Sequence, residues 1–342
     1  MIKRIAINGY GRIGRCVLRA LYESGARERL QVVAINELAD IKTVAHLTRY
    51  DSTHGRFPAD VSYQGDQLLV DNDAIRVLQC DNIQDLPWAE IGVDLVIDCT
   101  GQYRDRDAGE THIALGAGKV LYSQPGKRDI DATVVYGFND DQLTASARIV
   151  SAASCTSNCV VPVIDVLDKA FGIDAGVITT MHSAMNDQPV IDAYHHTDLR
   201  KTRSALTSMI PVDTDLALGI DFLLPHLKGR FEARAMRVPV VNVSSIDLTV
   251  QLNRASDVDE VKACLMRAAD TYKGVFGYTE EMLASCDFIH DPRSAVIDAS
   301  QTRVAGSRLL KLLIWFDNEW GYSNRLLDVA KLMLKDDRSV AE

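Results

Sequence analysis

The chain has 342 residues, of which 47% are hydrophobic and 25% are charged, a composition typical of soluble globular domains. Its 37 Lys and Arg against 47 Asp and Glu give a formal net charge of -10 at pH 7. This acidic balance excludes sequence-independent binding to nucleic acid or to an anionic membrane surface.

Targeting signals and cysteines indicate the compartment. No stretch is long and apolar enough for a membrane span, and the N-terminal residues lack the apolar run of a signal peptide. The seven cysteines are odd in number and irregularly spaced, which favours reduced thiols over a disulfide framework. We therefore expect a cytoplasmic protein.

The first half of the chain alternates strand and helix patterns. Residues 4–9 form an apolar run that ends in glycine, residues 12–25 have helical spacing, and residues 30–36 resemble a buried strand. Such a strand–helix–strand unit pairs its strands in parallel. Further strand patterns lie at 93–101, 119–125, 132–137 and 147–152, with a helical stretch at 109–118. The order predicts an open parallel sheet of the Rossmann type.

A glycine-rich turn connects the first strand to the first helix. Gly9, Gly11 and Gly14 form G-x-G-x-x-G, whose glycines allow a tight turn and the close approach of a pyrophosphate at a helix N-terminus. Glu37 follows the second strand, where a carboxylate accepts hydrogen bonds from the adenosine ribose and repels a 2′-phosphate. The turn therefore predicts a dinucleotide site that prefers NAD to NADP.

After residue 153 the pattern changes. An apolar helix is predicted at 158–172, and long strand-like runs lie at 175–183, 231–252 and 308–323. They are rich in Val, Ile and Thr, and the second alternates in part, which predicts a mainly antiparallel sheet half covered by helices. We therefore expect an α/β protein, with a Rossmann domain followed by an α+β catalytic domain.

"SAASCTSNC" places Cys155 and Cys159 four residues apart, among small hydroxyl residues. A zinc site needs about four ligands, and no second Cys/His pair with metal-ligand spacing follows, so we predict no metal. The alternatives are a packed helical cysteine and a nucleophile. A helix beginning near Cys155 would lower the pKa of its thiol, and His182 ends a strand pattern where it could serve as base.

Several blocks of the sequence closely resemble the glyceraldehyde-3-phosphate dehydrogenase superfamily. They are "SAASCTSNC", "HSAMNDQ", "RVPVVNVSSIDL" and "WFDNEWGYSNR", and the resemblance extends over nearly the whole chain. It implies NAD as cofactor, a small phosphorylated aldehyde as substrate and a homotetramer. It also implies an NAD-binding domain at 1–153, onto which a C-terminal helix at 319–342 packs back, and a catalytic domain at 154–318.

The resemblance also implies roles for individual residues. Cys155 corresponds to the thiolate nucleophile and His182 to the base beside it. In the cofactor site, the backbone of Arg12 and Ile13 corresponds to contacts with the pyrophosphate, and Asn318 to the residue that holds the nicotinamide amide. The substrate positions are Ser154, Thr156, Lys201, Thr214, Asp215 and Arg237.

Departures from the family pattern cluster at the phosphate positions. Met185 replaces a threonine, Asp215 a glycine and Leu218 a lysine, while Asp213 adds another carboxylate. Added negative charge disfavours the binding of inorganic phosphate at these positions. The departures therefore favour water as the acceptor of the acyl group over the family's phosphorylating reaction. A non-catalytic NAD-binding sensor is the alternative from another class of protein.

Overall fold

The computed structural model describes residues 2–195 and 197–335, and the chain divides into two compact units. The first comprises the residues up to Ser154 together with those from Ser323, and the second runs from Cys155 to Tyr322. The expected C-terminal helix 319–342 is observed as α8, Trp320–Met333, while its positions 336–342 lie outside the described residues.

Short strands and helices alternate along the first unit. Its strands are β1 Lys3–Asn8, β2 Leu30–Asn36, β3 Tyr50–Asp51, β4 Gly55–Arg56, β5 Val61–Gln64, β6 Gln67–Val70, β7 Asp73–Leu78, β8 Leu95–Asp98, β9 Lys119–Tyr122, β10 Ala132–Thr133 and β11 Ile149–Ser151. Its helices are α1 Arg12–Glu23, α2 Ile41–Arg49, α3 Trp88–Ile91 and α4 Arg106–Ala114.

Among the described residues, the first unit has a nine-stranded sheet in the order β10-β11-β9-β8-β1-β2-β7-β6-β5. Every neighbouring pair from β10 to β7 is parallel, which confirms the Rossmann-type prediction. Strands β6 and β5 continue the sheet antiparallel to β7. Strands β5, β6 and β7 were not predicted, because runs of four to six residues that mix buried and exposed positions carry little periodic signal.

The second unit begins with the longest helix among the described residues. Its helices are α5 Cys155–Phe171, α6 Leu216–Leu223 and α7 Val258–Thr271. Its strands are β12 Ile173–His182, β13 Ile210–Val212, β14 Phe231–Arg237, β15 Ser244–Leu252, β16 Phe276–Thr279, β17 Ala295–Ala305 and β18 Leu309–Phe316.

These strands form one mixed sheet in the order β13-β14-β12-β15-β18-β17-β16. Four of its neighbouring pairs are antiparallel and two, β12 with β14 and β16 with β17, are parallel. Helix α5 packs against the central strands. No helix within the described ranges has the length and apolar character needed to cross a bilayer.

Two of the predicted long strands are interrupted. The run 231–252 divides into β14 and β15, which flank β12 in opposite directions. Between them, Pro239 has no N–H to donate to a ladder, and Val243 adopts a left-handed φ of 65°. The run 308–323 ends as a strand at Phe316, because buried Asp317 accepts from the backbone N–H groups of Glu319 and Trp320 and starts α8.

Candidate active site and cofactor cleft

The three glycines of the first turn have different surroundings. Gly9 has φ 87°, and a Cβ added to it would lie 2.7 Å from the backbone nitrogen of Thr100. A Cβ on Gly14 would lie 2.3 Å from the carbonyl oxygen of Gly9, so this position lets α1 pack closely on the turn. A Cβ on Gly11 would meet nothing within 4 Å. Gly11 therefore leaves open space next to the backbone, as a pyrophosphate requires.

Polar side chains connect the carboxyl ends of the three central strands. Asn8 is in register with Asn36 of β2 and with Asp98 of β8. The Asn8 amide donates to Asp98 at 2.7 Å and accepts from Asn36 at 2.9 Å. All three residues are buried. The Asp98 carboxylate oxygen and the Asn8 carbonyl oxygen in these two bonds each accept from a side-chain amide. This network fixes the floor of the cleft where parallel sheets bind nucleotides.

Glu37 follows β2 at the wall of this cleft. Its carboxylate accepts from the backbone N–H groups of Tyr10, Leu38 and Ala39 at 3.1, 2.9 and 3.3 Å. The bond to Tyr10 links Glu37 directly to the glycine turn. The carboxylate is thus fixed at the wall of the cleft, and its contact with the ribose stays a prediction.

The cleft has a volume of about 300 Å³. Three of the predicted cofactor residues, Gly9, Gly11 and Glu37, line it. Arg12 and Ile13 form the first turn of α1, and the Arg12 side chain forms an ion pair with Asp51. The open Gly11, the anchored Glu37 and this helix N-terminus fit a dinucleotide.

Cys155 is the first residue of α5 and is half-buried. Burial raises the pKa of its thiol to about 11, against the opposite effects of the Thr156 N–H and the Arg237 charge. The expected acid-shifted thiol is therefore wrong for the chain by itself, because desolvation outweighs the helix N-terminus. Cys159, one turn further into α5, is fully buried, and burial raises the pKa of its thiol well above the ordinary value.

His182 ends β12 and is adjacent to this cysteine. Its Nε2 lies 4.0 Å from Cys155 Sγ, and its Nδ1 lies 2.9 Å from the carbonyl oxygen of Ser183. Burial, followed by the charge of Arg237, lowers the pKa of His182 to about 4. At neutral pH the pair is therefore an uncharged thiol next to an uncharged imidazole, which can accept the thiol proton when a carbonyl group arrives.

A cavity of about 160 Å³ opens beside Cys155. It brings together five of the residues predicted from the sequence: Cys155, Thr156, His182, Thr214 and Arg237. Asp213 also lines it and is exposed. A thiol, a base, two hydroxyls and a guanidinium thus meet in one cavity, which suits addition to the carbonyl of an anionic substrate.

Other predicted residues do not line this cavity. Lys201 forms an ion pair with Asp187, with 2.8 Å between Nζ and Oδ2. Asp215 is exposed at the position before α6, and its side chain makes no capping bond. Ser154 immediately precedes α5. Met185 is 46% exposed, in the loop after β12. The predicted substrate role of Asp215 and the predicted effect of Met185 on phosphate binding stay predictions.

Asn318 lies in a hydrogen-bonded cluster within the second unit. Its Oδ1 accepts from Ser183 Oγ at 3.0 Å and from Ser244 Oγ at 2.8 Å. Ser244 Oγ in turn accepts from the Ser183 N–H at 3.1 Å. Because two donors fix its oxygen, the amide has a single orientation, in which its NH₂ group serves as the remaining donor.

Three cavity residues were missed: Thr180, Val212 and Ala235. Thr180 could have been found, since residues two apart on a strand share a face and it precedes His182 by two. Ala235 and Val212 could not have been found from the sequence, because only the pairing of β14 with β12 and with β13 brings them to the cavity.

The fold and the two sites are those of a dinucleotide-dependent oxidoreductase, with a cysteine and a histidine in one cavity of the second unit. The family model for the NAD binding domain of glyceraldehyde 3-phosphate dehydrogenase matches residues 3–106. The model for the C-terminal domain of the same enzyme matches residues 154–318. The chain therefore belongs to the glyceraldehyde-3-phosphate dehydrogenase family, and it is an NAD-dependent oxidoreductase.

Proposed function

We propose that this protein oxidises D-erythrose 4-phosphate to 4-phospho-D-erythronate, with water as the acceptor of the acyl group. In this role it is a D-erythrose-4-phosphate dehydrogenase, and its product serves the biosynthesis of pyridoxal 5′-phosphate. Gly9, Gly11, Gly14, Glu37 and the first turn of α1 would hold NAD. When bound, NAD supplies the hydride acceptor.

The chemistry on the protein is centred on Cys155. Its sulfur adds to the aldehyde carbon while His182 Nε2, 4.0 Å away, takes the thiol proton and passes it to the carbonyl oxygen, which becomes the hydroxyl of the hemithioacetal. Hydride then leaves the hemithioacetal carbon, the hydroxyl proton passes through His182 to solvent, and a thioester remains on Cys155. Water then adds to the thioester carbon and gives up a proton, and the carbon–sulfur bond breaks. The products are the free acid and the regenerated thiol.

The observation that carries the hydrolytic reaction is the carboxylate of Asp213 in the wall of the cavity next to Cys155. An inorganic phosphate in this cavity would bring negative charge up to a carboxylate, which is unfavourable even when water screens part of the interaction. Water has no charge and meets no such penalty. Leu218, 63% exposed, stands where the resemblance implies a lysine, and it carries no charge.

One observation favours the phosphorylating glyceraldehyde-3-phosphate dehydrogenase reaction as a second candidate. The same cavity contains the Arg237 guanidinium and the hydroxyls of Thr156 and Thr214, which are groups that bind phosphate oxygens. In the hydrolytic enzyme, Arg237 instead serves the phosphate tail of the substrate. Lys201 is the second candidate cation for that tail, in exchange for its bond with Asp187.

We also infer a homotetramer in a reducing, cytoplasmic compartment. All seven cysteines are free thiols. Exposed apolar side chains concentrate in the segment 190–209, as is usual for surfaces that bind another chain. They are Val190, Ile191, Tyr194, Leu199, Leu206 and Met209. Sedimentation velocity of the purified protein tests the tetramer.

The decisive experiment measures initial rates with erythrose 4-phosphate and with glyceraldehyde 3-phosphate, each with and without inorganic phosphate. We expect the erythrose 4-phosphate rate to persist in phosphate-free buffer, and the acid formed in H₂¹⁸O to carry one labelled oxygen. A rate that collapses without phosphate would refute hydrolysis and favour the phosphorylating reaction.

A further inference from the structure

Thr180 has a buried hydroxyl without a partner. The residue is 1% exposed, and its Oγ1 has no hydrogen-bond partner among the described residues. It lines the cavity beside Cys155, and its neighbours Val212 and Ala235 in the wall are apolar. An unpaired buried hydroxyl disfavours the folded state, so its presence in a catalytic cavity points to a ligand.

Strand geometry places this hydroxyl near the base. Thr180 and His182 are two apart on β12 and both are buried, so they share the face that borders the cavity. On the parallel strand β14, Ala235 is in register with Thr180, and Arg237 with His182. Arg237 Nε is also buried and has no partner among the described residues. Two residues of the cavity wall on adjacent strands therefore carry a buried, unused hydroxyl and a buried, unused N–H.

These two groups complement one water molecule. A guanidinium N–H only donates, whereas a threonine hydroxyl can also accept. A water that accepts from Arg237 Nε and donates to Thr180 Oγ1 has one hydrogen and one lone pair left. The remaining hydrogen suits His182 Nε2, and the remaining lone pair suits the acyl carbon on Cys155. The cavity, at about 160 Å³, has ample room for it.

We propose that Thr180, with Arg237 Nε, positions the water that hydrolyses the Cys155 acyl group. This inference rests on the proposed hydrolytic function. The water oxygen forms a bond to the thioester carbon as its proton passes to His182. The carbon–sulfur bond then breaks, and the Cys155 thiolate recovers the proton from His182.

The test separates acylation from hydrolysis in Thr180→Val, which keeps the shape of the side chain and removes the hydroxyl. Stopped-flow NADH formation in the first turnover should be unchanged, because acylation needs no water. The steady-state rate in phosphate-free buffer should fall about ten- to a hundredfold, as expected for one lost hydrogen bond to a reacting group. Mass spectrometry should show the acyl group accumulating on Cys155.

Two further variants and a stability measurement control for structure. Thr180→Ser restores the hydroxyl and should restore most of the steady-state rate. Thr179→Val removes the neighbouring hydroxyl, which accepts from Arg234 outside the cavity, and should leave the rate unchanged. The melting temperature of Thr180→Val should equal or exceed that of the wild type, because the hydroxyl it loses has no partner in the fold.

Failure of this inference is distinguishable from failure of the proposed function. If wild-type turnover requires phosphate, the hydrolytic function is wrong whatever Thr180 does. If wild-type turnover is independent of phosphate and Thr180→Val turns over at the wild-type rate, the role of Thr180 is wrong. An equal slowing of the first turnover and of the steady state would also refute it, since that indicates a general disturbance of the site.

Discussion

Arg237 lies against the base, with its Nη1 2.7 Å from Nδ1 of His182. The Ser183 carbonyl oxygen lies 2.9 Å from the same Nδ1. Arginine only donates, so its bond requires the imidazole proton on Nε2, whereas the carbonyl requires it on Nδ1. Only the second tautomer presents a lone pair toward Cys155. The position of Arg237 therefore decides when His182 can accept a proton.

Removing this charge should raise both pKa values at the site. The Arg237 cation lowers the pKa of His182 and also that of Cys155. In Arg237→Leu we expect each to rise by about one unit. The pH titration of the imidazole resonances reports the first, and the pH dependence of Cys155 alkylation by iodoacetamide reports the second. Arg234→Leu is the matched control, because that arginine bonds Thr179 on the opposite face of the same sheet. Similar shifts in both variants would contradict the assignment.

His182 should make the fold sensitive to acid. Its pKa is about 4 in the folded chain, below the ordinary value of 6.5, so the unfolded chain binds more protons between these values. Its contribution to the free energy of unfolding is present above pH 6.5 and is lost as the pH falls toward 4. The loss amounts to about 3 kcal/mol. His182→Asn should remove this part of the decline. Urea unfolding of the wild type and of His182→Asn from pH 7.5 to 4 measures this difference. If the free energy of unfolding falls equally with pH in the two proteins, another group is responsible for the decline.

The two cysteines of α5 should behave differently. Cys155→Ser should lose oxidation by at least about a thousandfold, because a hydroxyl loses its proton far less readily than a thiol and is intrinsically less nucleophilic. Cys159→Ser should retain most of the activity, since that thiol is fully buried and stays protonated. NADH formation measures both, with Cys286→Ser as background to remove an exposed thiol. Equal losses at the two positions would argue against Cys155 as nucleophile.

The glycine turn offers a pair of variants that separates folding from binding. Gly14→Ala places a Cβ 2.3 Å from the Gly9 carbonyl oxygen and should lower the melting temperature by several degrees. Gly11→Ala meets no atom within 4 Å, so the fold should keep its stability while NAD binding weakens at least about tenfold. Thermal unfolding measures the stability of each variant, and calorimetric titration measures its affinity for NAD. Unweakened NAD binding in Gly11→Ala would place the pyrophosphate elsewhere.

The choice of cofactor should depend on the charge of Glu37. Glu37→Gln removes the negative charge and keeps an acceptor oxygen for one of the two N–H groups, since Tyr10 and Leu38 donate to different carboxylate oxygens. We expect NAD to bind several-fold more weakly and the preference over NADP to narrow by about tenfold. The ratio of kcat/KM for the two cofactors measures this. A wild-type enzyme that already uses both equally well would show that Glu37 does not discriminate.

Sequence was most informative where the physical cause is local. The glycine spacing, the helical face of residues 12–25 and the start of α5 at Cys155 all depend on neighbouring residues, and they were predicted. The strands β5 and β6 were missed, because a short strand with exposed positions has little pattern of its own. The roles of Cys155 and His182 stay predictions, supported by the 4.0 Å between their reacting atoms.

The sequence by itself determined the parallel sheet and the dinucleotide turn, because periodicity and motif spacing encode these features, while the candidate nucleophile and base are what the resemblance of its motifs to the family implies. Only the tertiary structure decided the chemical state of the site. The local rule of a helix N-terminus predicted an acidic Cys155 thiol, yet burial in the folded chain raises its pKa to about 11. Likewise, Thr180 and Arg237 share one cavity only because β12 pairs with β14, and a sequence does not state which strands pair.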